Sequence, residues 1–397
     1  MTQQGPLSGV RVLDLTSMIS GPTTTLILAD QGADVIKVEA PGGDHTRGVS
    51  TRRNGFSASF VNNNRNKRSI VLDLKKESGL NALKTLAKTC DVAVQNFRPG
   101  VVDRIGVGEA ELRKIRPDMI YVSISGFGET GPYAQKPVYD PLVQALSGLA
   151  SVQAGSDQQR PSLVRTILPD KLTGFVAAQA ITAALFHRER TGEGQHIKLS
   201  MIDTVLAFLW GSDMGGHTFV GHEPKEERAQ SFIDLIYETQ KGFISVAVQS
   251  NKEWLSLCRA FDKPEWLEDP RFKTAADRGV NIDERLALTQ EVLLTDTAEN
   301  WLKRLEAHDV PCAPVLNRRE ARQHPQIKAN DSIMEIEHPV IGTLRHARPA
   351  PRFSKTPTSV RHHAPGLGEN SVAVLREAGL SEDVIAAMIE EGATRND

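Results

Sequence analysis

The sequence predicts an α/β protein in which short apolar strands alternate with helices around a parallel sheet. Residues 9–15 and 33–39 are β-branched runs that flank a loop and the helical segment 26–31, which is the spacing of a parallel βαβ unit. Residues 91–95 and 119–125 repeat the pattern after further helical segments. No G-x-G-x-x-G follows the first strand, so this pattern predicts no pyrophosphate cradle of the dinucleotide-binding type.

The other elements of this first region follow from the same periodicities. Further strands are predicted at 69–74 and 196–200. Helices are predicted at 79–89, 101–106, 109–116, 142–150, 175–186 and 201–210. The polar segment 40–66 is long for a connection, and because it leads directly into a strand we expect an ordered, functional loop.

A smaller second domain is predicted where the composition changes after about residue 211. Its signals are a polar linker at 221–230, a β-hairpin at 232–248 with its turn near 239–242, and charged helices across 251–308 that contain Trp254, Trp266 and Trp301 as core anchors. Strands and turns return from residue 334, and a last amphipathic helix covers 382–391. The predicted domains are therefore 1–225, 226–325, and 326–397, the last returning to the first.

Composition excludes several classes of protein. The chain has 397 residues, 40% hydrophobic and 24% charged, which is ordinary for a globular protein with a sizeable core. A net charge of −2 with dispersed basic residues gives no nucleic-acid footprint, and no apolar run has membrane-spanning length. Cys90, Cys258 and Cys312 lack metal spacing and are odd in number, so we expect buried thiols, no metal and a cytoplasmic location.

Two polar segments permit more than one interpretation. Arg65, Lys67 and Arg68 are either a solvated surface cluster or contacts to a phosphorylated ligand. The Gly-rich stretch 126–132 follows a predicted strand and is either a tight turn or a close backbone approach to a ligand.

Asp170 stands ahead of the apolar run 175–186, after a buried-looking segment. An Asp in this place is ordinarily a helix cap, because its oxygens accept first-turn N–H groups. The surrounding segments favour a second interpretation, a reactive carboxylate.

These segments together resemble the class III CoA-transferases, the family of formyl-CoA and carnitine-type CoA-transferases and α-methylacyl-CoA racemases. The segments that carry the resemblance are GVRVLDLTSMISGP (9–22), GADVIKVEAPGGDHTRG (32–48), NRNKRSIVLDLK (64–75), VQNFRPGVVDRIG (94–106), SISGFGETGPY (123–133), VYDPLVQALSGL (138–149), PDKLTGFVAAQAITAAL (169–185), TGEGQHIKLSMIDT (191–204) and APGLGEN (364–370). The resemblance implies a Rossmann-like large domain built from N- and C-terminal parts, a smaller inserted α+β domain, and a homodimer of interlinked chains.

The resemblance also implies the chemistry. In the transferases of the family an aspartate at the position of Asp170 is the nucleophile that attacks a CoA thioester. Tyr139 stands where the racemases have a histidine, and a phenol of pKa about 10 is a poor shuttle for an α-proton. By the resemblance it is a catalytic residue that donates a hydrogen bond to a carboxylate or oxyanion, and the alternative is a tyrosine packed at the start of a helix. A transferase through Asp170 is therefore favoured over a racemase, and over a CoA-binding protein without activity, because a binder has no need of Asp170.

By the same resemblance, coenzyme A is the ligand, and no metal is needed because its thiolate leaves readily. The residues implied to bind it are Met18, Ser20, Leu72, Lys75, Asn96, Phe97, Arg98 and Arg104, with Arg104 and Lys75 the first choices for its phosphates. Some members have a glutamine where this chain has Ile19, and the formyl-CoA enzyme has a glutamate in place of Asp140 and a glycine run that this chain lacks. These departures disfavour formyl-CoA:oxalate exchange and favour a larger dicarboxylic, aromatic or carnitine-like acid.

Overall fold

The computed structural model describes residues 5–227 and 235–396. By contacts within the chain it separates into two compact units, one within Met1–Gln230 and Asp331–Asp397 and one within Ser231–Asn330. The strands described are β1 Arg11–Asp14, β2 Asp34–Glu39, β3 Arg52–Arg53, β4 Phe56–Ser57, β5 Lys67–Val71, β6 Val92–Gln95, β7 Ile120–Ser125, β8 His196–Ser200, β9 Ile236–Glu238, β10 Phe243–Val246, β11 Cys312–Pro314, β12 Ile333–His338 and β13 Gly342–Ala347.

The helices surround these strands in both units. They are α1 Ser20–Asp30, α2 Ala58–Asn64, α3 Glu77–Ala87, α4 Val101–Arg104, α5 Glu109–Ile115, α6 Asp140–Leu146, α7 Leu149–Ala154, α8 Leu168–Thr191, α9 Met201–Trp210, α10 Asn251–Phe261, α11 Ala275–Val280, α12 Ile282–Leu293, α13 Ala298–Ala307, α14 Arg318–Gln323, α15 Pro325–Ala329, α16 Ser371–Glu377 and α17 Glu382–Glu390. Short 3₁₀ turns lie at His45–Gly48, Gly215–His217 and Pro264–Leu267.

The larger unit is built on a parallel sheet of six strands in the order β5-β2-β1-β6-β7-β8. Counted along the chain this is the order 3-2-1-4-5-6 of doubly wound α/β folds. The prediction of a parallel α/β sheet is confirmed. The direction of winding reverses between β1 and β6, and loops leaving the carboxyl ends of those two strands therefore diverge and leave a crevice.

Both faces of this sheet are buried, as expected for parallel strands. Successive residues point to opposite faces, so that Leu13 packs toward α3, α5, α16 and α17 while its neighbour Val12 packs toward α1 and α8. The first face holds Leu83, Leu112 and Leu375 in its core, all fully buried. The C-terminal helices thus cover the same side of the sheet as helices from the first quarter of the chain.

Two segments of the larger unit contain elements that differ from the prediction, and helices α1 and α8 begin at Ser20 and Leu168 rather than at 26 and 175. The polar stretch 40–66 contains a 3₁₀ turn, the β3–β4 hairpin and helix α2. Its polar residues cap these elements, since Asp44 accepts the N–H of Thr46 and Ser57 accepts that of Phe60. The helix predicted at 142–150 breaks at Gly148, whose φ of 84° is left-handed, and becomes α6 and α7.

The basic cluster at 65–68 is neither solvated nor available to a phosphate. The Arg65 guanidinium pairs with Asp30 at 2.6 Å and the Lys67 ammonium with Asp14 at 3.1 Å, both buried. Arg68 pairs with the carboxylates of Asp34 at 2.6 Å and Glu377 at 2.8 Å. These cations tie β5 to β1, to the end of α1 and to α16.

The smaller unit has its own core. Strands β9, β10 and β11 form an antiparallel sheet that packs against α10, α12 and α13. The hairpin prediction is confirmed for β9 and β10, although residues 232–234 of it, like 228–230 of the predicted linker, lie outside the described residues. Trp254, Trp266 and Trp301 are buried as predicted, and the rings of Trp254 and Trp266 stack with centroids 5.9 Å apart. Cys258 is buried here, and Cys90 is buried in the larger unit, while Cys312 is half-buried.

Candidate active site

A pocket of about 160 Å³ opens at the reversal point of the sheet. Its walls come from the loops after β1, β6 and β7 and from the first residues of α6, α8 and α9. The sequence-predicted residues that line it are Met18, Ser20, Asn96, Phe97, Arg98, Tyr139 and Asp170. The fold therefore gathers residues as far apart in the sequence as Met18 and Asp170 around one carboxylate.

Three predicted residues do not line this pocket. Leu72 is 1% exposed and belongs to the hydrophobic core, so its side chain is not available to a ligand. Lys75 is exposed on the turn between β5 and α3. Arg104, at the end of α4, lines a separate cavity of about 530 Å³.

Asp170 lies in the first turn of α8 and does not cap it, because the residue before the helix is Ile167. The cap interpretation is therefore wrong. Helix α8 runs against α1 at close range, and Gly174 is the reason. A Cβ at Gly174 would lie 2.8 Å from the Thr23 Cβ and 3.0 Å from the Ser20 carbonyl oxygen. This close approach brings the Asp170 carboxylate to the N-terminus of α1, where the hydroxyl and the backbone N–H of Ser20 face it as donors that lower its pKa.

The electrostatics of Asp170 are set by burial and by a second carboxylate. Burial, followed by the charge of Asp140, raises the pKa of Asp170 to about 6, and the two hydrogen bonds from Ser20 oppose this rise. Asp140 is 3% exposed, and burial raises its pKa as well. With this pKa, about nine-tenths of Asp170 is ionised at pH 7. The side chain is therefore mostly in its reactive carboxylate form, and burial keeps that carboxylate weakly solvated.

Asp140 links two segments behind the pocket. Its Oδ2 accepts the backbone N–H of Asp170 at 3.3 Å, and its Oδ1 accepts the Gln144 Nε2 at 2.6 Å. The Gln144 Oε1 in turn accepts the backbone N–H of Val164 at 2.9 Å. Asp140 therefore fixes the chain that enters α8. Sequence reasoning noted this residue only as a departure from a glutamate, because nothing in the local pattern shows which N–H it meets.

The loop between β1 and α1 is held from both sides. The side-chain amide of Asn96 pairs with the backbone of Ser17, receiving its N–H at 3.0 Å and donating to its oxygen at 2.8 Å. On the other side, the Lys37 ammonium donates to the Thr16 carbonyl at 2.8 Å. Met18 has a left-handed φ of 68°, which is uncommon for a residue with a side chain, and its N–H reaches the Asp44 Oδ1 at 3.3 Å. Asn96 thus shapes the pocket wall through the backbone of its neighbour.

Tyr139 precedes α6 and is 68% exposed, so the interpretation of a packed tyrosine is wrong. Within residues 5–227 and 235–396 its hydroxyl forms no hydrogen bond, which leaves it free for a ligand. Lys136, which the sequence did not single out, lines the same wall, with its ammonium 3.3 Å from the centre of the Tyr133 ring. Arg98 is exposed in the loop after β6 and forms no ion pair within the described chain.

The arrangement defines a doubly wound α/β protein with a carboxylate-centred pocket at the reversal point of its sheet. The chain matches the model of CoA-transferase family III over residues 7–371, and it belongs to that family. It is 33% identical over 380 residues to succinyl-CoA:glutarate CoA-transferase of Homo sapiens, covering 94% of this chain and 86% of the relative. Acetyl-CoA:oxalate CoA-transferase of Acetobacter aceti is 35% identical over 386 residues, covering 96% and 97%.

Solved structures share the fold. Rv3272 from Mycobacterium tuberculosis superposes with a TM-score of 0.83 at 29% identity, covering 94% of this chain and 100% of that one. A CaiB/BaiF family protein from Brucella suis gives the same TM-score at 30% identity, covering 95% and 100%. Family and named relatives together indicate an enzyme that transfers CoA.

Proposed function

We propose that the protein moves CoA from an acyl-CoA thioester to a free carboxylic acid through covalent intermediates on Asp170. The observation that carries the proposal is the Asp170 carboxylate itself, partly buried in the pocket and facing the first turn of α1. A weakly solvated carboxylate is a better nucleophile than one in bulk water, and neighbouring N–H groups are the donors that a developing oxyanion needs.

The proposed reaction consists of four exchanges at acyl carbon. A carboxylate oxygen of Asp170 attacks the thioester carbonyl, the carbon–sulfur bond breaks, and CoA leaves as a thiolate from an acyl–aspartyl anhydride. The thiolate attacks the Asp170 carbonyl carbon, which releases the donor acid as its carboxylate and leaves an aspartyl–CoA thioester. The acceptor carboxylate then repeats both exchanges in reverse, and Asp170 is regenerated. No proton is gained or lost, and the first-turn N–H groups of α1 stabilise each tetrahedral oxyanion.

We propose that CoA lies along the turn after β6. Phe97 and Arg98 are exposed there, with Met18 and Ser20 on the facing loop. Arg98, Arg104 and Lys75 supply the cations for its phosphates, as forked and point-charge donors. For the acid we propose a dicarboxylate larger than oxalate. Relatives named for glutarate and oxalate support a dicarboxylate, and the lysine of the pocket wall, Lys136, supports a second carboxyl group.

We propose that the protein acts as a homodimer of interlinked chains. Its larger unit exposes aromatic side chains along α8 and α9, with exposed fractions of 61% for Phe175, 64% for Phe186, 51% for Phe208 and 49% for Trp210. Aromatic side chains exposed along packed helices are typical of protein interfaces. No helix in the described residues has the length and apolar character to cross a membrane. We propose a cytoplasmic location, which the unpaired cysteines support.

The test is an incubation in D₂O with succinyl-CoA, a 2-methylacyl-CoA and a panel of free acids, read by mass spectrometry. We expect new acyl-CoA species without α-deuterium, and the panel identifies the acceptor. Deuterium at the α-carbon without new thioesters would instead establish a racemase. Hydroxylamine added during turnover should convert Asp170 to its hydroxamate, found in the peptide that contains it.

Two variants accompany that test. Asp170→Ala should abolish transfer and hydroxamate formation while CoA binding stays close to that of the wild type. Asp283→Ala is the matched control, because Asp283 is also an acid in the first turn of a helix but lies exposed in the smaller unit. More than a trace of transfer by Asp170→Ala would rule out the covalent mechanism.

A further inference from the structure

We infer that Gln95 is a positioning residue of the CoA site, held in one orientation by Ser123 and His196. The inference rests on the proposed function, since it concerns the turn along which CoA is proposed to lie. Gln95 is the last residue of β6 and is 5% exposed. Its side chain lines the cavity of about 530 Å³ rather than the pocket, yet its amide reaches the backbone N–H of Phe97, a residue of the pocket wall.

The orientation of the Gln95 amide is determined by its partners. Its Oε1 accepts the backbone N–H of Phe97 at 2.8 Å, and a backbone N–H is a donor only, so the oxygen must face it. The Nε2 then faces Ser123 and donates to its hydroxyl oxygen at 2.9 Å. The Phe97 contact does not survive a flip of the amide, because the flip would set the Nε2 donor against the backbone N–H donor.

Ser123 passes this constraint to His196. Its Oγ lies 2.9 Å from the His196 Nε2, across the pair of strands β7 and β8. Because the Oγ already accepts a hydrogen bond from Gln95, its own proton is free to be donated to an unprotonated Nε2. Burial is the largest cause that lowers the pKa of His196, and the ring packs edge-on against Tyr121 with centroids 5.3 Å apart. A neutral histidine therefore completes the chain of hydrogen bonds.

The charged groups around His196 leave its imidazole neutral. Glu109 and Glu129 raise its pKa, whereas Lys198 and Arg113 lower it. The two acids are themselves paired, Glu109 with Arg113 at 3.0 Å and Glu129 with Lys198 at 2.6 Å. The ring also lines the cavity of about 530 Å³, so it can exchange protons with solvent.

The chain of hydrogen bonds ends on residues that shape the pocket. Phe97, whose N–H it fixes, is exposed toward the pocket, and its neighbour Asn96 clamps Ser17 on the facing loop. One buried amide thus sets the position of the turn after β6 and, through Asn96, that of the loop after β1. Loss of the Gln95 amide should loosen both walls of the CoA site without changing the position of Asp170.

The experiment compares Gln95→Met and Gln95→Glu with the wild type and with Gln240→Met. Gln240 is a suitable control because its side-chain amide also makes one hydrogen bond to backbone, from Nε2 to the Thr295 carbonyl at 2.9 Å, in the smaller unit. Gln95→Met keeps the length of the side chain and loses both hydrogen bonds. We expect its KD for CoA, measured by calorimetry, to rise about tenfold, as the loss of two hydrogen bonds implies. The rate of Asp170 acylation at saturating acyl-CoA should stay within about twofold of the wild-type rate.

Gln95→Glu gives a readout that a purely structural role would not move. Its carboxylate still accepts the Phe97 N–H but cannot donate to Ser123, so the Ser123 hydroxyl turns toward it and His196 loses its donor. The added negative charge should then raise the pKa of His196, seen by NMR titration of histidine-labelled protein with His196→Gln as the assignment reference. The CoA affinity of Gln95→Glu should be closer to the wild-type affinity at a pH below the pKa of His196 than at a pH above it.

The outcomes separate the inference from the proposed function. A wild type that binds no CoA would overturn both. A wild type that binds CoA, with Gln95→Met equally tight or weakened only in proportion to a lost folded fraction, would overturn the role of Gln95 alone. An unchanged His196 titration in Gln95→Glu would do the same, even if Gln95→Met fails to fold.

Discussion

The carboxylate of Asp140 accepts a hydrogen bond from the backbone N–H of Asp170, which lies 30 residues further along the chain, with an oxygen–nitrogen distance of 3.3 Å. A negative charge near the N-terminus of α8 is favourable for the helix, but the same charge repels the Asp170 carboxylate. One buried acid thus places the proposed nucleophile and also makes it harder to ionise. Four predictions follow from this relationship and from the helix contact beside it.

The rate of CoA transfer should depend on pH through Asp170. Since its pKa is about 6, the reactive ionised form is lost as the pH falls below that value. We expect kcat/KM for the acyl-CoA, which reports the free enzyme, to be level above pH 7 and to fall about tenfold for each pH unit below about pH 5.5. Stopped assays with mass-spectrometric detection in a constant-ionic-strength buffer measure this profile. A rate that stays constant down to pH 4.5 would contradict the assignment of this pH dependence to Asp170.

Asp140→Asn should move the acidic limb of the pH–rate profile, the part in which the rate falls with falling pH, to lower pH. The amide oxygen of asparagine can still accept the Asp170 N–H, while the repelling charge is gone, so the pKa of Asp170 should fall. The position of the limb in the pH–rate profile is the measurement. Gln144→Glu serves as a contrast, because it adds a charge to the partner of Asp140 and should move the limb upward. A limb that stays in place in Asp140→Asn would show that burial alone sets the pKa.

Asp170→Asn should stabilise the protein at neutral pH. Because the pKa of Asp170 is raised above its ordinary value of 3.8, the folded state holds the proton more tightly than the unfolded chain does. The cost of ionisation therefore accumulates between pH 3.8 and about 6 and is fully present at pH 7. We expect a gain on the order of 2 kcal/mol in the free energy of unfolding at pH 7.5. Denaturant unfolding at pH 7.5 and at pH 4 tests this, since the gain should vanish at the lower pH.

Gly174→Ala should lower both stability and activity. The new methyl group would meet the Thr23 side chain at 2.8 Å and the Ser20 carbonyl at 3.0 Å, and backbone cannot yield cheaply. Separation of α8 from α1 should cost about 1–3 kcal/mol and draw Asp170 away from Ser20. Thermal unfolding and transfer rate are the measurements. Gly279→Ala is the matched control, because that helical glycine faces open space and the change should be neutral or mildly stabilising.

The sheet was predictable because each parallel strand is a continuous apolar run, buried on both faces. Gathering of Met18, Asn96 and Asp170 in one pocket followed only from the family resemblance, since strand order is not encoded locally. The basic residues Arg65 and Lys67 could not be interpreted, because their partners Asp30 and Asp14 lie more than thirty positions away. A cluster of cations looks the same in sequence whether its counterions are a ligand or a neighbouring strand.

Helix α2 was missed for a related reason. The run Asn62–Asn63–Asn64 has low helix propensity, yet the side chains of Asn63 and Asn64 return hydrogen bonds to the carbonyls of Ser59 and Phe60, at 2.9 Å and 3.0 Å. Tertiary packing of Phe60, which is 1% exposed, holds the helix in place. Gln95 was hidden in the same way, because the geometry that gives it a role requires β7 and β8 beside it.

The Asn96–Ser17 pairing has a consequence for amide exchange. Ser17 and Met18 lie in a connection that would ordinarily exchange its amide protons with water quickly, but their N–H groups are bound by Asn96 and Asp44. Exchange at Ser17 therefore requires the carboxyl ends of β1 and β6 to part, and exchange at Met18 requires the loop after β1 to part from Asp44. The protection of these two amides in deuterium labelling measures how often the floor of the pocket opens. Bound CoA should slow their exchange further.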